Sequence, residues 1–428
     1  MHKKVLIISN NSFSKVSNNG KTYEAIFSKF DKENISQLFF SENEEPDLNY
    51  CKNYFKITDK DVLLNFITFS KKRSGKLNDL MGEKIDEKKA MFNSNSSYFF
   101  NFFQKKADLL ILFRDFLWSF NSWKTPQLKK WLKETNPDVI FFVGGPMKFP
   151  YNISNWVSKF LNKPVAVYFT DDYILYPISR NILDRFVIYR AKKFYKELIE
   201  LSDARFTIGE LMSKEYKIFF GKDFYSIMNS VSISKNDVFI KSEKTNSKPI
   251  ISYFGGLHLN RWQMISRLGS LFKNEFIINV YSIYQPNKEI LESFDENGVR
   301  FCGGVISDEL KRKIDESDIL LHVESDDHYN RNLTKLSVST KIPEYLISGK
   351  LVLGFGPADI ASMKVLSDNE VGVVISSELN NEDIVNFKVL LKDVDVRNEI
   401  GKNGFLYAKE KFDINKNSDT FKKILESL

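Results

Sequence analysis

Cysteine is nearly absent. Cys51 and Cys302 are the two in 428 residues, and with only four histidines they offer neither a disulfide framework nor the close ligand spacing of a metal site. A small secreted scaffold is thereby excluded, and a reducing cytoplasm fits. Long hydrophobic runs are missing too: no window approaches the roughly 18 apolar residues of a membrane span. The start, MHKKVLIIS, puts lysines before an apolar run as a signal peptide does, but polar NNSFSKVSNN ends that run after about five residues. It reads as a first strand, in a chain that does not cross a membrane. Charge of one sign is scarce as well. Sixty-two basic residues against 55 acidic ones leave +7, modest for this length, and no nucleic-acid partner is expected.

What is present is the composition of a globular protein, 43% hydrophobic and 27% charged, with heavy use of phenylalanine at 38 residues. The length exceeds what one core usually serves, so two domains are expected. Short apolar runs such as VLIIS (5–9), ISQLFFS (35–41), VIFFVGG (139–145), VAVYFTDD (165–172), ARFTIG (204–209) and FYSIMN (224–229) alternate with helix-like stretches over 20–30, 107–120 and 182–201. That alternation is the pattern of parallel βαβ units. Polar SKNDVFIKSEKTNSKP (234–249) interrupts it, with little to bury. The rhythm then restarts with IISYFGG, FIINVYS, VRFCGG, ILLHVES, KLVLGFG and GVVIS. The predicted fold class is α/β, with two Rossmann-like domains facing each other across a cleft. They span 1–235 and 248–410, joined by a linker at 236–247, and a C-terminal helix within 411–428 crosses back to the first domain. Residues 98–133 form a separate feature, aromatic-rich, with seven Lys/Arg against Asp108 and Asp115, a net of +5. Such a segment suits an acceptor or an anionic membrane surface, and equally a partly buried helical insertion.

Ligands of doubly wound sheets bind beyond the carboxyl ends of the strands, so the residues just after each run carry the weight. Asn18 to Thr22, NNGKT, ends like a phosphate-binding P-loop, but Lys15 stands where that loop needs glycine, which excludes P-loop chemistry. Gly20 instead opens a helix whose free N–H groups suit phosphate. Asp171 and Asp172 end the run VAVYFT, where a carboxylate serves as general base or binds sugar hydroxyls, and the alternative is that one caps the following segment. Gly255 and Gly256 allow close backbone approach, and Arg261 can fork onto diphosphate oxygens. In STKIPEYLISGK (339–350), Ser339 and Thr340 are placed to cap a helix, Lys341 lies at its mouth, and Glu344 can accept from a ribose diol. Asp393-Val-Asp395 and Ser325-Asp-Asp-His328 have acidic spacing but no third ligand, and no metal is expected.

These segments resemble the GT-B glycosyltransferases, specifically family 4-like enzymes of bacterial polysaccharide assembly. The resemblance covers nearly the whole chain and is strongest from Ile250 to Ser376. FGGLHLNRWQMI resembles the family's G-R-L-x-x-x-K-G segment. VRFCGGVISDELKRKIDESDILLHVES resembles its F-x-G-x-V segment, and STKIPEYLISGKLVLGFGP its E-A-M-A-x-G-x-P-V segment. The resemblance implies a diphosphate role for Arg261, a ribose role for Glu344, nucleobase contact at Gly303 and Gly304, and a donor-phosphate loop at Gly20. TDDYILYP matches the segment where many members have His-Asp followed by Pro. Three positions depart from the family: Leu336 for the first glutamate of E-x7-E, Gly256 for the arginine of G-R-L, and Asp171 for the histidine. Ser339, Thr340 and Lys341 are candidate replacement phosphate contacts. The implied activity is hexosyl-type transfer from a UDP- or GDP-sugar to a glycan or lipid-linked acceptor, with no cofactor, at the inner face of the membrane. The alternatives are a catalytically silent GT-B subunit supporting a partner transferase, and an epimerase, for which His258 and His322 do not obviously supply acid/base pairs.

Overall fold

The computed structural model describes residues 3–13, 18–41, 46–69, 74–77, 107–234, 237–242, 247–376, 378 and 381–428. Residues 98–106 of the basic aromatic segment, and 236 and 243–246 of the expected linker, lie outside that set. The chain divides into two compact units, residues 1–230 with 414–428 and residues 231–413.

In the first unit, among the described residues, eight strands form one sheet in the order β4-β3-β2-β1-β5-β6-β7-β8. They are β1 (Val5–Ser9), β2 (Ile35–Phe39), β3 (Asn53–Lys56), β4 (Gly75–Leu77), β5 (Val139–Val143), β6 (Val165–Phe169), β7 (Ala204–Thr207) and β8 (Tyr225–Ser226). All pairs are parallel except β3–β4. Every residue of β1, β2, β5 and β6 is buried, which is why these strands read as continuous apolar runs rather than alternating ones. β3 and β4 were not expected: NYFK and GKL are short and carry polar ends, so neither shows a run.

The last helix, Ile414–Glu426, belongs to this first unit. The Phe421 ring meets Phe27, Phe141 and Phe206 at 5.1, 5.2 and 5.1 Å, and the Ser418 hydroxyl donates to the Ile26 carbonyl at 2.9 Å. Aromatic edges packed this way add to the burial itself and lock the helix to the sheet.

The second unit has six strands among the described residues: β9 (Ile250–Phe254), β10 (Ile277–Tyr281), β11 (Val299–Phe301), β12 (Ile319–Val323), β13 (Leu351–Phe355) and β14 (Val373–Ile375). Their order is β11-β10-β9-β12-β13-β14, all parallel. Counted within the unit this is 3-2-1-4-5-6, the doubly wound order, whose direction reverses between β9 and β12. The expected linker needs correction at 237–242. Those residues lie along the helix Val394–Lys411: Ser242 N–H donates to Asn398 Oδ1 at 2.8 Å, Lys409 Nζ donates to the Asp237 carbonyl at 2.9 Å, and Phe239 packs beside Phe405. They are part of the second unit, with the backbone of Asp237 and Ser242 bonded to that helix.

Candidate functional site

The reversal between β9 and β12 is where a doubly wound sheet opens a crevice, and the residues leaving those two strands converge there. Gly255 and Gly256 follow β9. Gly255 has φ +150°, and a Cβ built on it would lie 1.7 Å from Lys341 Nζ; one on Gly256 would lie 2.5 Å from His258 Nδ1. The glycine pair therefore exists to admit an ammonium group and an imidazole against the backbone. Lys341 is the first residue of the helix Lys341–Ile347, and its Nζ sits 4.9 Å from the centre of the Tyr253 ring. Tyr253 is itself fixed by donating its hydroxyl to the Gly256 carbonyl at 2.7 Å. Among the described residues the Lys341 ammonium makes no hydrogen bond or ion pair. Burial first, then the Arg261 charge, lowers its pKa to about 7 against the pull of Glu324 and Glu344.

Arg261 opens the helix Arg261–Phe272 after two consecutive left-handed residues, Leu259 (φ 58°) and Asn260 (φ 57°). For leucine this is a strained conformation, one that the surroundings must hold. Asn260 is held by donating to Asp327 Oδ2 at 3.1 Å. The turn aims the Arg261 guanidinium inward: Nε donates to the Val323 carbonyl at 3.2 Å, and Nη2 to both oxygens of Glu324 at 3.3 and 3.1 Å. Glu324 is the first residue after β12 and is 2% exposed. Burial opposes its charge, but Arg261 and then His322 overcome that and hold the carboxyl at about 2. Nε2 of buried His322 lies 3.3 Å from Glu324 Oε1, off the direction of a hydrogen bond. Burial keeps that imidazole below its ordinary pKa despite the carboxylate. His258, exposed at the rim with Nε2 3.4 Å from Arg261 Nη1, is lowered to about 4 by its packing and by Arg261 and Lys341.

The arrangement changes the expected division of labour. The fork of Arg261, assigned to diphosphate from the sequence, is turned onto Glu324, whereas Lys341 is the cation left unengaged. Glu344, on the same short helix, is exposed and has no partner among the described residues, and its field reaches Lys341. The expected cap is corrected: Thr340 is helical in conformation and its side chain caps nothing, while Ser339 Oγ accepts from Lys341 N–H at 3.4 Å. Leu336, where a glutamate was missing, is buried at 1% exposure. Gly303 and Gly304 follow β11, two strands from β9, and the Gly303 carbonyl accepts from Ser282 N–H at 2.9 Å. Sequence reasoning missed Glu324, Tyr253 and the strained turn. The signal for Glu324 was available, as the first carboxylate after the apolar run ILLHV.

In the first unit the aspartate pair separates. Asp172 is fully buried, and its carboxylate accepts from Ile174, Leu175 and Tyr176 N–H and from the Tyr216 hydroxyl at 2.9 to 3.1 Å. It is the capping alternative, and a catalytic role is corrected on that ground, since the carboxylate is buried and held by three backbone N–H groups of the following turn and a tyrosine hydroxyl. Asp171 is partly exposed and accepts from the Thr170 hydroxyl at 3.1 Å. Gly20 lies in the first turn of the helix Asn18–Ile26. Asp393 caps the helix Val394–Lys411 through Asp395 and Val396 N–H, and Asp327 caps the helix His328–Thr334. Among the described residues no cluster of metal-ligating side chains occurs.

No family model matches the chain, and no curated protein does. Solved structures do. HepE of Anabaena, solved in complex with UDP, superposes with a TM-score of 0.64 at 12% identity over 99% of this chain and 100% of that one. Sucrose-phosphate synthase from Thermosynechococcus elongatus gives 0.59 at 11% identity over 99% of both chains. TarM gives 0.53 at 14% identity over 70% of this chain, which spans 57% of the TarM chain. At these identities the likeness is one of fold, and the fold is GT-B.

Proposed function

We propose that the protein is a glycosyltransferase in which the second unit binds a nucleotide-diphosphate sugar and the first binds a glycan or lipid-linked acceptor. The observation that carries this reading is the unengaged Lys341 ammonium packed on Gly255 at the reversal of the second sheet. Its neighbours Arg261 and Glu324 neutralise each other, so an anion meets a site with one cation to spare. HepE, with the same fold, has been solved with UDP and with UDP-glucose, which supports a donor of that kind.

In the reaction an acceptor hydroxyl oxygen bonds to the anomeric carbon, and the bond from that carbon to the diphosphate breaks. The nucleoside diphosphate keeps the electron pair and the hydroxyl proton passes to Asp171. Negative charge grows on the leaving diphosphate, where Lys341 and the Gly255–Gly256 backbone stabilise it. Glu344 takes the ribose hydroxyls, with Gly303 and Gly304 against the base, and Ser339 and Thr340 add hydroxyl donors to the phosphates. No metal is assigned a role, and turnover is expected to persist in chelator.

The setting proposed is assembly of a cell-surface polysaccharide at the inner face of the membrane. Among the described residues no helix is long and apolar enough to cross a bilayer. Attachment would be peripheral, through the basic aromatic segment, and sedimentation with anionic vesicles at low salt tests it. A silent subunit is the second reading, favoured by buried Leu336 and the closed Arg261–Glu324 pair. Slow hydrolysis of a bound nucleotide sugar by the full chain would decide for the enzyme, and binding without hydrolysis for the silent subunit.

A further inference from the structure

The diphosphate of a nucleotide sugar is esterified on both phosphates and carries two negative charges. The site at the reversal of the second sheet meets it with one positive charge in surplus, since Arg261 and Lys341 stand against Glu324. A charge left unanswered in a partly buried site is costly, so a neutral group that gains a proton as the anion enters would complete the balance. Besides Lys341, the candidates beside Arg261 are Glu324, His322 and His258. Glu324 is held at about 2, against burial, by Arg261 and then His322, and stays ionised. His322 is buried, with Nε2 shielded from solvent beside Glu324, where no phosphate oxygen reaches it. His258 remains, exposed at the rim.

The turn that carries His258 fixes its ring from two sides. Arg261 N–H donates to the His258 carbonyl at 3.4 Å, across the left-handed pair Leu259 and Asn260, so both side chains leave the same tight turn. His258 Nδ1 lies where a Cβ on Gly256 would come within 2.5 Å, and Nε2 lies 3.4 Å from Arg261 Nη1. A guanidinium only donates, so the imidazole accepts at Nε2 and carries its one proton on Nδ1. The groups that face it are Arg261 on its own turn, Tyr253 on β9, Glu324 past β12 and Lys341 on the helix Lys341–Ile347. The Tyr253 hydroxyl is committed to the Gly256 carbonyl. Packing, then the charges of Arg261 and Lys341, outweigh Glu324 and keep the imidazole neutral down to about pH 4. A bound anion would offset those two cations and reverse the preference.

We infer that His258 binds the donor diphosphate and takes up a proton as it does so, changing from an acceptor for Arg261 to a donor to a phosphate oxygen. One oxygen about 2.9 Å from both Nε2 and Nη1 fits in front of that pair. The proton comes from solvent and enters at Nε2, Nδ1 keeps its own, and Arg261 Nη2 stays on Glu324. The inference rests on the donor role proposed for the second unit and adds to it a dependence on pH. It also gives a use to the departure at position 256. Where the resemblance places an arginine, Gly256 makes room for a cation that forms only with the ligand. Since the free imidazole is protonated only near pH 4 and the bound one at its ordinary value or above, donor affinity rises as pH falls between the two.

Calorimetric titration of the full-length chain at pH 6, in buffers of different ionisation enthalpy, counts the protons taken up. The probes are UDP-glucose, GDP-mannose and a symmetric dimethyl diphosphate diester, whose phosphates do not titrate near that pH. With a bound imidazole at about 6.5 or above, wild type should take up roughly 0.7 proton or more. His258→Gln keeps an acceptor for Arg261 but cannot gain a charge. Its uptake should fall to about 0.1 proton, the share left to Lys341 at this pH. Its affinity should be about fourfold or more weaker than wild type at pH 6 and nearly equal at pH 8.5, with unchanged melting. Binding of a nucleotide sugar without uptake, or uptake that His258→Gln retains, overturns the inference and leaves the donor reading standing. If only the dimethyl diester binds, with uptake that His258→Gln removes, the inference stands and the nucleotide-sugar reading falls. No binding by any of the three overturns both.

Discussion

Each unit places a buried carboxylate just past a central strand, and the two are satisfied in different currencies. Asp172, past β6, is answered by three backbone N–H groups of the turn that follows it and by the Tyr216 hydroxyl of the helix Glu210–Phe220. Glu324, past β12, is answered by the guanidinium of Arg261, with the His322 imidazole beside it. A carboxylate fixed by backbone amides ties down a loop. One fixed by a side-chain cation sets a local charge balance, and in the second unit that balance leaves Lys341 in surplus. The difference shows why position after a strand is insufficient to identify a catalytic group: the partners decide.

The contrast is sharpest if both pairs are broken. Arg261→Met leaves Glu324 buried without its cation and should lower the stability of the second unit by about 3–5 kcal/mol. Adding Glu324→Leu should recover most of it, as urea unfolding would show. Asp172→Ala orphans several buried N–H groups and should cost about 1–3 kcal/mol in the first unit, while UDP-glucose titration finds the donor affinity unchanged. Gly255→Ala puts a methyl where Lys341 Nζ lies and should weaken donor binding by about tenfold with little effect on the first unit's unfolding.

The pH profiles of the two functions of Lys341 should oppose each other. Its pKa in the folded protein is about 7, below its usual 10.5. Above pH 7 the folded chain has released a proton that the unfolded chain retains, so this group's effect on stability becomes more favourable from pH 7 to 10.5. Over the same range the uncharged amine holds diphosphate less well, and donor affinity should fall. Affinity that is flat from pH 6 to 9 would remove Lys341 from the phosphate site. Glu344→Ala should have the smallest effect, a few-fold loss of donor affinity with unchanged melting, because the carboxylate is exposed and accepts only in the complex.

Much of the fold was legible. The strands β1, β5, β6, β9, β12 and β13 are continuous apolar runs because both faces of each sheet are covered. The edge strand β4 and its neighbour β3 were not, since both are short, with polar ends and no apolar run. At the site, Gly255 and Gly256 stood out by residue type after a strand, and Lys341 and Glu344 by their charge at the start of a helix. What sequence could not show was pairing. Whether Arg261 is open to phosphate or closed on Glu324 depends on two residues 63 positions apart, brought together by the doubly wound strand order. The split between Asp171 and Asp172 likewise depends on which carboxylate turns toward the backbone of 174–176.

The central claim is that Lys341 is the unengaged cation of a nucleotide-sugar site. Calorimetric titration of UDP- and GDP-sugars into wild type and Lys341→Ala at pH 6.5 tests it directly. The account predicts that at least one sugar nucleotide binds wild type and that the substitution weakens it by about tenfold or more, with unchanged melting. Equal affinity in the two proteins, or no binding to wild type by any of the nucleotides, would contradict it.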